Sequence, residues 1–584
     1  MLQDCIRIFK KELEKHTDAL IVDNYTPKDG TYILIKILDH TFEIGEPLNI
    51  WYNRKTDEIE GSTNSDFRFI QQLDYYSKLV EMNKPMDPKK IIHSNNYLTF
   101  FVKKESLASN KLTDEIIDGF YQILTDPRVK YDKKPKTLSL YDSVEQKLGK
   151  PDESLVNRIH FWIKENIFQL GVDISKKDYL KLFFVFEDTR KTEELYRSEG
   201  KRYLLPNIYN NNDFNLISDD EIYGLPNDNI GMNSKKPYLE NKNRKIKVPY
   251  MLSLEDVLLQ SQFFDYLMGK ASVGYVNVYI DSNQENIRFY KQTELPKDFE
   301  HGYYLRIQKG KEVEIHNMDA ISEYHYHLKK KFYYKKILPL SAEAKKTMVS
   351  SYGVKRNLQE MQFLIDDVLF SKYLMGNYTN EPGSVSIKDS VLKYNVLIAR
   401  DVLYAWFFKG ETSRLEALLK SVSLNLIINS INKGYLLKAV HQLNLRWSLM
   451  DYFSENNEME EEIVNVRERL KKCIVNKEEW DFLNSDEYYY AVGQLMRYYV
   501  SKVKSKKQEL SILNPLLNAG NDKVLKKHLM QMFQRVNHAI ELSDYRVLDL
   551  IAHVEAYETS EKINKDMILG GFAASLLIYE KKEA

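Results

Sequence analysis

Lysine and arginine side chains are concentrated between Ala491 and Ile540, where they could bind phosphate groups. This stretch contains nine Lys and Arg residues and two acidic residues. Apolar residues recur there at spacings of three and four, which predicts two amphipathic helices with basic outer faces. Such faces could neutralise a nucleic-acid backbone, although an ordinary solvated surface has the same pattern. The candidate contact residues are Arg497, Lys502, Lys504 and Lys527.

The first of these helices has a clear division between apolar and polar positions. The residues predicted to be buried are Tyr488, Val492, Leu495, Tyr499 and Val503. Gln494 and Arg497 fall on the opposite side of the helix and are predicted to be exposed. The breakers Gly520 and Asn521 precede the second helix. Near the C-terminus, Gly570 and Gly571 should allow a neighbouring helix to approach closely.

A second basic segment lies in residues 206–250, which are dense in Asn, Gly and Pro and lack apolar periodicity. A segment of this length without periodicity predicts a functional loop or a disordered insert. Its second half, Tyr223 to Tyr250, contains six Lys and Arg residues and two acidic residues. The loop could therefore contact nucleic acid, or it could dock onto a neighbouring protein subunit.

The sequence contains no motif that indicates catalysis. Walker A, GxGxxG and HExxH patterns are all absent, so no phosphate loop or zinc protease site is expected. His325 and His327 flank Tyr326, but no cysteine or third histidine lies nearby to complete a metal site. His528 and His538 lie in a basic helix without a pair of acidic residues. We therefore expect a protein that is not an enzyme and that has no metal or other cofactor.

The helices and strands predicted along the chain indicate an α+β fold class. A mixed N-terminal α/β region is followed by an all-helical C-terminal part ending in a helical bundle. The β signal disappears after Pro339, where a helix over 342–375 is predicted, and the polar residues 130–151 are predicted to form a loop. The predicted domains are an N-terminal α+β domain (1–205), the basic loop (206–250), a β-rich continuation (251–340), a helical region (341–455) and the C-terminal bundle (456–584).

Composition limits the cellular setting. Lys plus Arg and Asp plus Glu are equal, at 84 each, so net charge gives no reason to expect nucleic-acid or membrane binding. Two cysteines exclude a disulfide framework and suit a reducing compartment. The N-terminus does not read as a signal peptide, and the longest late apolar run is too short to span a bilayer. We expect a cytoplasmic protein with no membrane partner.

Three stretches resemble the large subunit of type I-B CRISPR Cascade effector complexes. They are residues 69–105, with FIQQLDYYSKLVEMNKPMDPKK at their start, residues 231–250, GMNSKKPYLENKNRKIKVPY, and residues 488–517, which begin YYYAVGQLMRYYVSKVKSKK. Some members of that family carry a CxxC zinc knuckle. This sequence has none, so the resemblance implies no zinc.

The resemblance implies a non-catalytic subunit of an RNA-guided complex, in which base pairing reads the target and protein reads a short adjacent motif. The implied partners are CRISPR guide RNA, target DNA, the backbone and crRNA-end subunits of Cascade, and a helicase-nuclease. In the basic loop, asparagine can read base edges and basic residues can neutralise phosphates. The candidate residues there are Asn233, Lys235, Lys236, Arg244 and Lys245.

Two further expectations concern the C-terminal bundle. In the family this part acts as a small subunit, and a separate copy could arise here by translation from Met450, just before the acidic stretch 451–464, or from Met459, within that range. The competing interpretation of the whole chain is a helical protein-binding scaffold that makes no direct contact with DNA.

Overall fold

The chain divides into two compact units in a computed structural model. The structure describes residues 1–53, 56, 58–219, 221–227, 250–339, 352–454, 458–476, 480–503, 514–541 and 543–581. The first unit comprises Met1–Gln292 with His301–Ser322, and the second comprises Thr293–Glu300 with Glu323–Ala584. The first unit mixes helices and sheets, whereas the second is mainly helical. This arrangement confirms the predicted α+β class and its helical C-terminal part.

The main sheet of the first unit has six strands. They are β1 (Gly30–Ile37), β2 (Phe42–Ile44), β3 (Leu48–Asn53), β4 (Glu58–Glu60), β5 (Thr99–Lys103) and β6 (Tyr179–Val185). Their order is β4-β3-β1-β6-β5, and β2 pairs with the end of β1. β1 and β6 are parallel, while the other pairs are antiparallel. β6 is buried from Leu180 to Val185, as expected of a central strand covered on both faces.

Ten helices are described in the first unit. They are α1 (Leu2–His16), α2 (Ala19–Val22), α3 (Phe67–Tyr76), α4 (Lys104–Ala108), α5 (Asp114–Thr125), α6 (Arg128–Tyr131), α7 (Pro135–Leu148), α8 (Glu153–Asn166), α9 (Thr189–Asn207) and α10 (Leu254–Ser272). The predicted loop over 130–151 is wrong because α7 occupies most of it. Thr137, Leu140, Tyr141 and Val144 are buried at helical spacing, a face that the polar composition of the segment concealed.

Two smaller sheets complete the first unit. One consists of β7 (Leu216–Ser218), β8 (Glu221–Gly224) and β9 (Leu252–Ser253), and the other of β10 (Asn277–Asp281), β11 (Asn286–Tyr290), β12 (Gly302–Lys309) and β13 (Val313–Ile321). Their orders are β7-β8-β9 and β11-β10-β12-β13. The start of the segment predicted as a loop, 206–227, thus contains two paired strands. Residues 228–249 lie outside the described residues.

The second unit contains one strand pair and ten described helices. These are β14 (His327–Tyr334), β15 (Gly353–Asn357), α11 (Leu358–Val368), α12 (Ser390–Lys409), α13 (Leu415–Asn432), α14 (Leu436–Phe453), α15 (Glu458–Asn476), α16 (Ser485–Lys502), α17 (Asn514–Leu517), α18 (Asp522–Val536), α19 (Tyr545–Ala556) and α20 (Lys565–Ala573). The predicted loss of β structure after Pro339 is wrong at β15, and the helix predicted over 342–375 is described only from Leu358 to Val368. Val354, on β15, is one of the β-branched residues that favour strands.

One hydrophobic core runs through the helices of the second unit from Ile427 to Ile578. Trp447 of α14 is fully buried in it, and its indole N–H donates to Asp566 of α20 at 3.2 Å. Arg446 forms an ion pair with the same carboxylate, at 2.6 Å. The domain boundary predicted at residues 455 and 456 therefore does not coincide with a break in the core. A product translated from Met459 would lack both of these partners of α20.

Candidate nucleic-acid interface

The predicted contact residues divide between described and undescribed parts of the chain. Asn233, Lys235, Lys236, Arg244 and Lys245 all lie outside the described residues, as does Lys504. The structure places Arg497 and Lys502 on α16 and Lys527 on α18. It therefore brings the C-terminal candidates together on two neighbouring helices.

Helices α16 and α18 lie side by side and run in the same direction. Near their starts, the hydroxyl of Tyr488 donates to Asp522 at 2.5 Å. Near their ends, the rings of Tyr499 and Phe533 have centroids 6.1 Å apart. Each helix begins at an asparagine cap, Asn484 or Asn521, whose side chain accepts backbone N–H groups. The basic residues in the last turns of the two helices therefore lie at the same end of the bundle.

The tyrosines of α16 belong to the core rather than to a binding surface. Tyr488, Tyr489, Tyr490, Tyr498 and Tyr499 are all buried. Burial raises the pKa of Tyr488, and the hydrogen-bonded carboxylate of Asp522 raises it further. The predicted burial of Tyr488, Val492, Leu495 and Tyr499 is confirmed, while Val503 is half-buried. These rings are consequently not available to stack on nucleotide bases.

The polar side of α16 does not face solvent as predicted. Gln494 is buried, and its amide donates to the carbonyl oxygen of Gly571 at 2.5 Å while accepting from the N–H of Leu577 at 2.8 Å. Arg497 is half-buried and donates to the carbonyl oxygens of Phe572 and Ala573 at 3.0 and 2.9 Å. Carbonyl groups at a helix end have no partner within their own helix. Both side chains therefore cap α20.

The capping contact gives Arg497 a structural role in the bundle. Burial lowers the pKa of its guanidinium group, yet an arginine remains charged at neutral pH. Because the charge is committed to two backbone carbonyls, replacing Arg497 would disturb the bundle as well as any ligand. Its predicted contact with nucleic acid stays a prediction, and substitutions at this position cannot test it cleanly.

Two glycines allow α16 and α20 to cross closely, which confirms the close approach predicted at Gly571. A Cβ atom on Gly571 would lie 2.0 Å from the carbonyl oxygen of Tyr490, and one on Gly493 would lie 2.1 Å from that of Ile568. Gly570 faces the ring of Trp447, where an added Cβ would lie 3.2 Å away. No larger residue fits at the crossing without moving backbone.

Replacing Gly571 by alanine is expected to destabilise the second unit by about 2 kcal/mol or more, because the two helices must separate to admit the methyl group. The midpoint of thermal unfolding should fall by several degrees. Gly520→Ala is the matched control, since a Cβ there meets nothing within 4 Å. An unfolding midpoint for Gly571→Ala equal to that of the control would contradict the close crossing.

The outer side of α18 carries three basic residues and one neutral residue. Lys523, Lys527, Gln531 and Arg535 are exposed at a spacing of four, so they form one stripe about 18 Å long. We call these four residues the α18 face. Its three charged members form no ion pair or hydrogen bond with the described part of the chain. The single acid of the helix, Asp522, is buried.

The remaining lysines of the helix pair are engaged within the bundle. The ammonium group of Lys526 donates to the carbonyl oxygens of Glu555, at 3.0 Å, and of Tyr557. The ammonium group of Lys502 lies 5.0 Å from the centre of the Tyr498 ring, at cation–π distance. The prediction that Lys527 faces outward is thus confirmed, whereas Lys526 and Lys502 have structural contacts as well.

Reversing the charge of the α18 face is expected to weaken DNA binding at least tenfold. In the variant Lys523→Glu/Lys527→Glu/Arg535→Glu, up to three phosphate contacts are replaced by repulsion. The slope of log affinity against log salt should fall by about three for duplex DNA. Fluorescence anisotropy of the full-length chain with a labelled duplex measures both quantities.

A control variant separates a local contact from net charge. Lys388, Arg414 and Lys472 are exposed elsewhere in the second unit, and changing all three to glutamate alters the net charge equally. This variant should bind DNA nearly as the unchanged chain does. Equal losses in the two variants would show that α18 makes no particular contact.

Metal ligands and membrane-spanning elements were also sought in the described ranges. Within them, no three His, Cys, Asp or Glu side chains form a group that could hold a metal ion. No described helix has the length and apolar character needed to cross a bilayer. His325 is exposed and pairs with Glu323 at 2.5 Å, and His528 contacts Gln531 at 3.2 Å.

Comparisons with known proteins do not assign the chain to a family. No family model matches it, and neither the curated proteins nor the solved structures contain a significant match. The assignment of function therefore depends on the sequence resemblance and on the surfaces described above.

Sequence reasoning assigned most of the buried and exposed positions of α18 correctly. In α16 it was wrong about Gln494 and Arg497, which were predicted to be exposed. Lys523, Lys527 and Arg535, expected to face outward, are exposed, while Lys526, which was grouped with them, is half-buried. Gln494 and Arg497 lie three residues apart on the predicted polar side of α16, but they bind the end of a helix about 75 residues later. The glycine pair at 570 and 571 was the one available signal that α20 covers this side of α16.

Proposed function

We propose that the chain is the non-catalytic large subunit of a cytoplasmic, RNA-guided CRISPR surveillance complex. In this role it recognises the motif adjacent to the target in double-stranded DNA, stabilises the opened duplex and helps to recruit a helicase-nuclease. The proposal combines the resemblance of three stretches with the α18 face, which follows one of those stretches in the chain. The observation that supports it most is the α18 face, a basic stripe without exposed acids directly after the 488–517 stretch.

The division of labour in such a complex fits a chain with these features. Guide RNA supplies sequence recognition by base pairing, so the protein needs surfaces for phosphates and for a short motif rather than a catalytic centre. The α18 face suits a backbone contact, because phosphate contacts position a protein on nucleic acid without reading sequence. The loop residues Asn233, Lys235, Lys236, Arg244 and Lys245 remain the proposed contacts for the adjacent motif.

A helical protein-binding scaffold remains the alternative, and one observation favours it. Val391, Tyr394 and Ile398 of α12 are 39%, 60% and 38% exposed. Their spacing of three and four places them on one side of the helix, as in helix faces that contact other proteins. In the proposed complex this side would face another subunit, whereas a scaffold would use it without any nucleic acid.

Sequencing the RNA that copurifies with the tagged chain from its native cells tests the proposal. We expect RNAs of uniform length that share their end sequences and differ in their central sequence, as guide RNAs do. The backbone and crRNA-end subunits should copurify with them. Recovery of protein partners without such RNA would support the scaffold instead.

A further inference from the structure

A second cluster of basic side chains lies on the strand pair of the second unit. β14 and β15 are antiparallel, with His327 opposite Asn357 and Phe332 opposite Lys355. Four residues of β14, 328–331, therefore face the single residue Arg356 of β15. Such an irregularity is a β-bulge, a feature that often redirects side chains.

The bulge concentrates positive charge on the ribbon formed by β14 and β15. Lys329, Lys330 and Lys331 are consecutive, and all three are exposed, as is Arg356. Regular alternation would have turned at least one of these lysines inward. Neither strand contains an acidic residue. Among the described acids next to the ribbon, Glu323 accepts a hydrogen bond from His325, and Glu360 accepts one from the backbone N–H of Arg356.

An aromatic ring lies beside this charge. Tyr333 and Val354 are directly opposite each other and are 50% and 40% exposed. The ring of Tyr333 makes no aromatic contact within the described residues. Its hydroxyphenyl group thus presents a free face close to the bulge, next to a small apolar patch.

The other side of the ribbon is fixed to α14. The buried ring of Phe332 lies 5.6 Å from that of Tyr452, and the hydroxyl of Tyr334 donates to the carbonyl oxygen of His441 at 2.9 Å. The ammonium of Lys335 pairs with Asp451 at 3.3 Å. Because Phe332 and Tyr334 both face α14, the side chain of Tyr333 between them is held on the exposed side of the ribbon.

We propose that this ribbon binds single-stranded nucleic acid. Lys329, Lys331 and Arg356 would neutralise successive phosphates, and Tyr333 would stack on one base. Basic residues combined with an exposed ring are the usual means of holding single strands without sequence preference. Inside a duplex both faces of a base are covered by the neighbouring base pairs, so the ring favours a single strand over a duplex. This inference is independent of the CRISPR assignment.

Fluorescence anisotropy with a labelled oligothymidylate of 20 nucleotides tests the ribbon in the full-length chain. The variant Lys329→Glu/Lys331→Glu/Arg356→Glu should bind at least tenfold more weakly than the control with Lys388, Arg414 and Lys472 changed to glutamate. The slope of log affinity against log salt should fall by about two, since each phosphate contact to a single strand contributes about 0.7 to that slope. Tyr333→Ala should weaken binding roughly tenfold, and Tyr333→Phe should restore it.

Photocrosslinking of the unchanged chain gives a second measurement that needs no variant. An oligonucleotide carrying 5-iodouracil should form its crosslink at Tyr333, identified by mass spectrometry of the peptide. Crosslinks confined to other segments, or equal affinity of the ribbon variant and its control, would overturn the proposal. A loss of duplex binding in the ribbon variant, relative to its control, as large as the loss of single-strand binding would also overturn it, in favour of a groove contact.

Discussion

Replacing Asn233, Lys235 and Lys236 by alanine is expected to abolish binding of double-stranded targets by the assembled complex, while single-stranded targets are still bound. A contact to the edge of a base depends on sequence and is needed only where a duplex must first be recognised. A single-stranded target pairs with the guide without duplex opening. Gel-shift titrations with the two forms of one target measure the difference.

The loop variant needs a control in which one asparagine and two lysines are replaced elsewhere in the chain. Asn465, Lys388 and Lys472 are exposed in the second unit, and their replacement by alanine should leave both targets bound. Equal losses on both target forms after the loop changes would remove the motif-reading role. Failure of the complex to assemble would show that the loop docks onto another subunit.

The affinity of the complex for duplex DNA should fall roughly a thousandfold or more between 50 and 200 mM salt, if six to ten phosphates are contacted. The cause is the release of condensed counterions, which becomes less favourable as the salt concentration rises. Titrations at four or more salt concentrations give the slope. A flat response would favour the protein-binding scaffold.

Reversing the charges of the α18 face tests whether part of this salt dependence comes from phosphate contacts at α18. With Lys523, Lys527 and Arg535 reversed, the slope should be smaller by about three, while the preferred adjacent motif stays the same. A phosphate contact affects every sequence equally, whereas the loop changes should alter the preference itself. A change of preferred motif in the α18 variant would contradict this separation.

Local periodicity predicted much of the helical part of the fold. The buried apolar positions of α18 follow from residues at spacings of three and four. The same pattern predicted the burial of Tyr488, Val492, Leu495 and Tyr499 in α16, but this helix is buried on other sides as well. Asn521, noted as a breaker, is the N-cap of α18. α7 was missed because two of its four buried positions, Thr137 and Tyr141, are not strongly apolar, and polar neighbours outnumber all four.

What the sequence could not provide were contacts between distant segments. Arg497 and Gln494 look like solvent-exposed residues until the end of α20 is placed beside them. The ribbon of β14 and β15 depends on pairing across residues 335–352, and its bulge depends on a shift of register that no local pattern records. The parallel course of α16 and α18 likewise depends on contacts between segments, of Tyr488 with Asp522 and of Tyr499 with Phe533.

The most direct test of the central claim is to assemble the guide RNA and the other subunits with and without this chain, and to measure binding of a complementary target duplex. The account predicts tight binding only when the chain is present and the adjacent motif is intact, with single-stranded target bound in either case. Equal binding of the duplex with and without the chain would contradict the account.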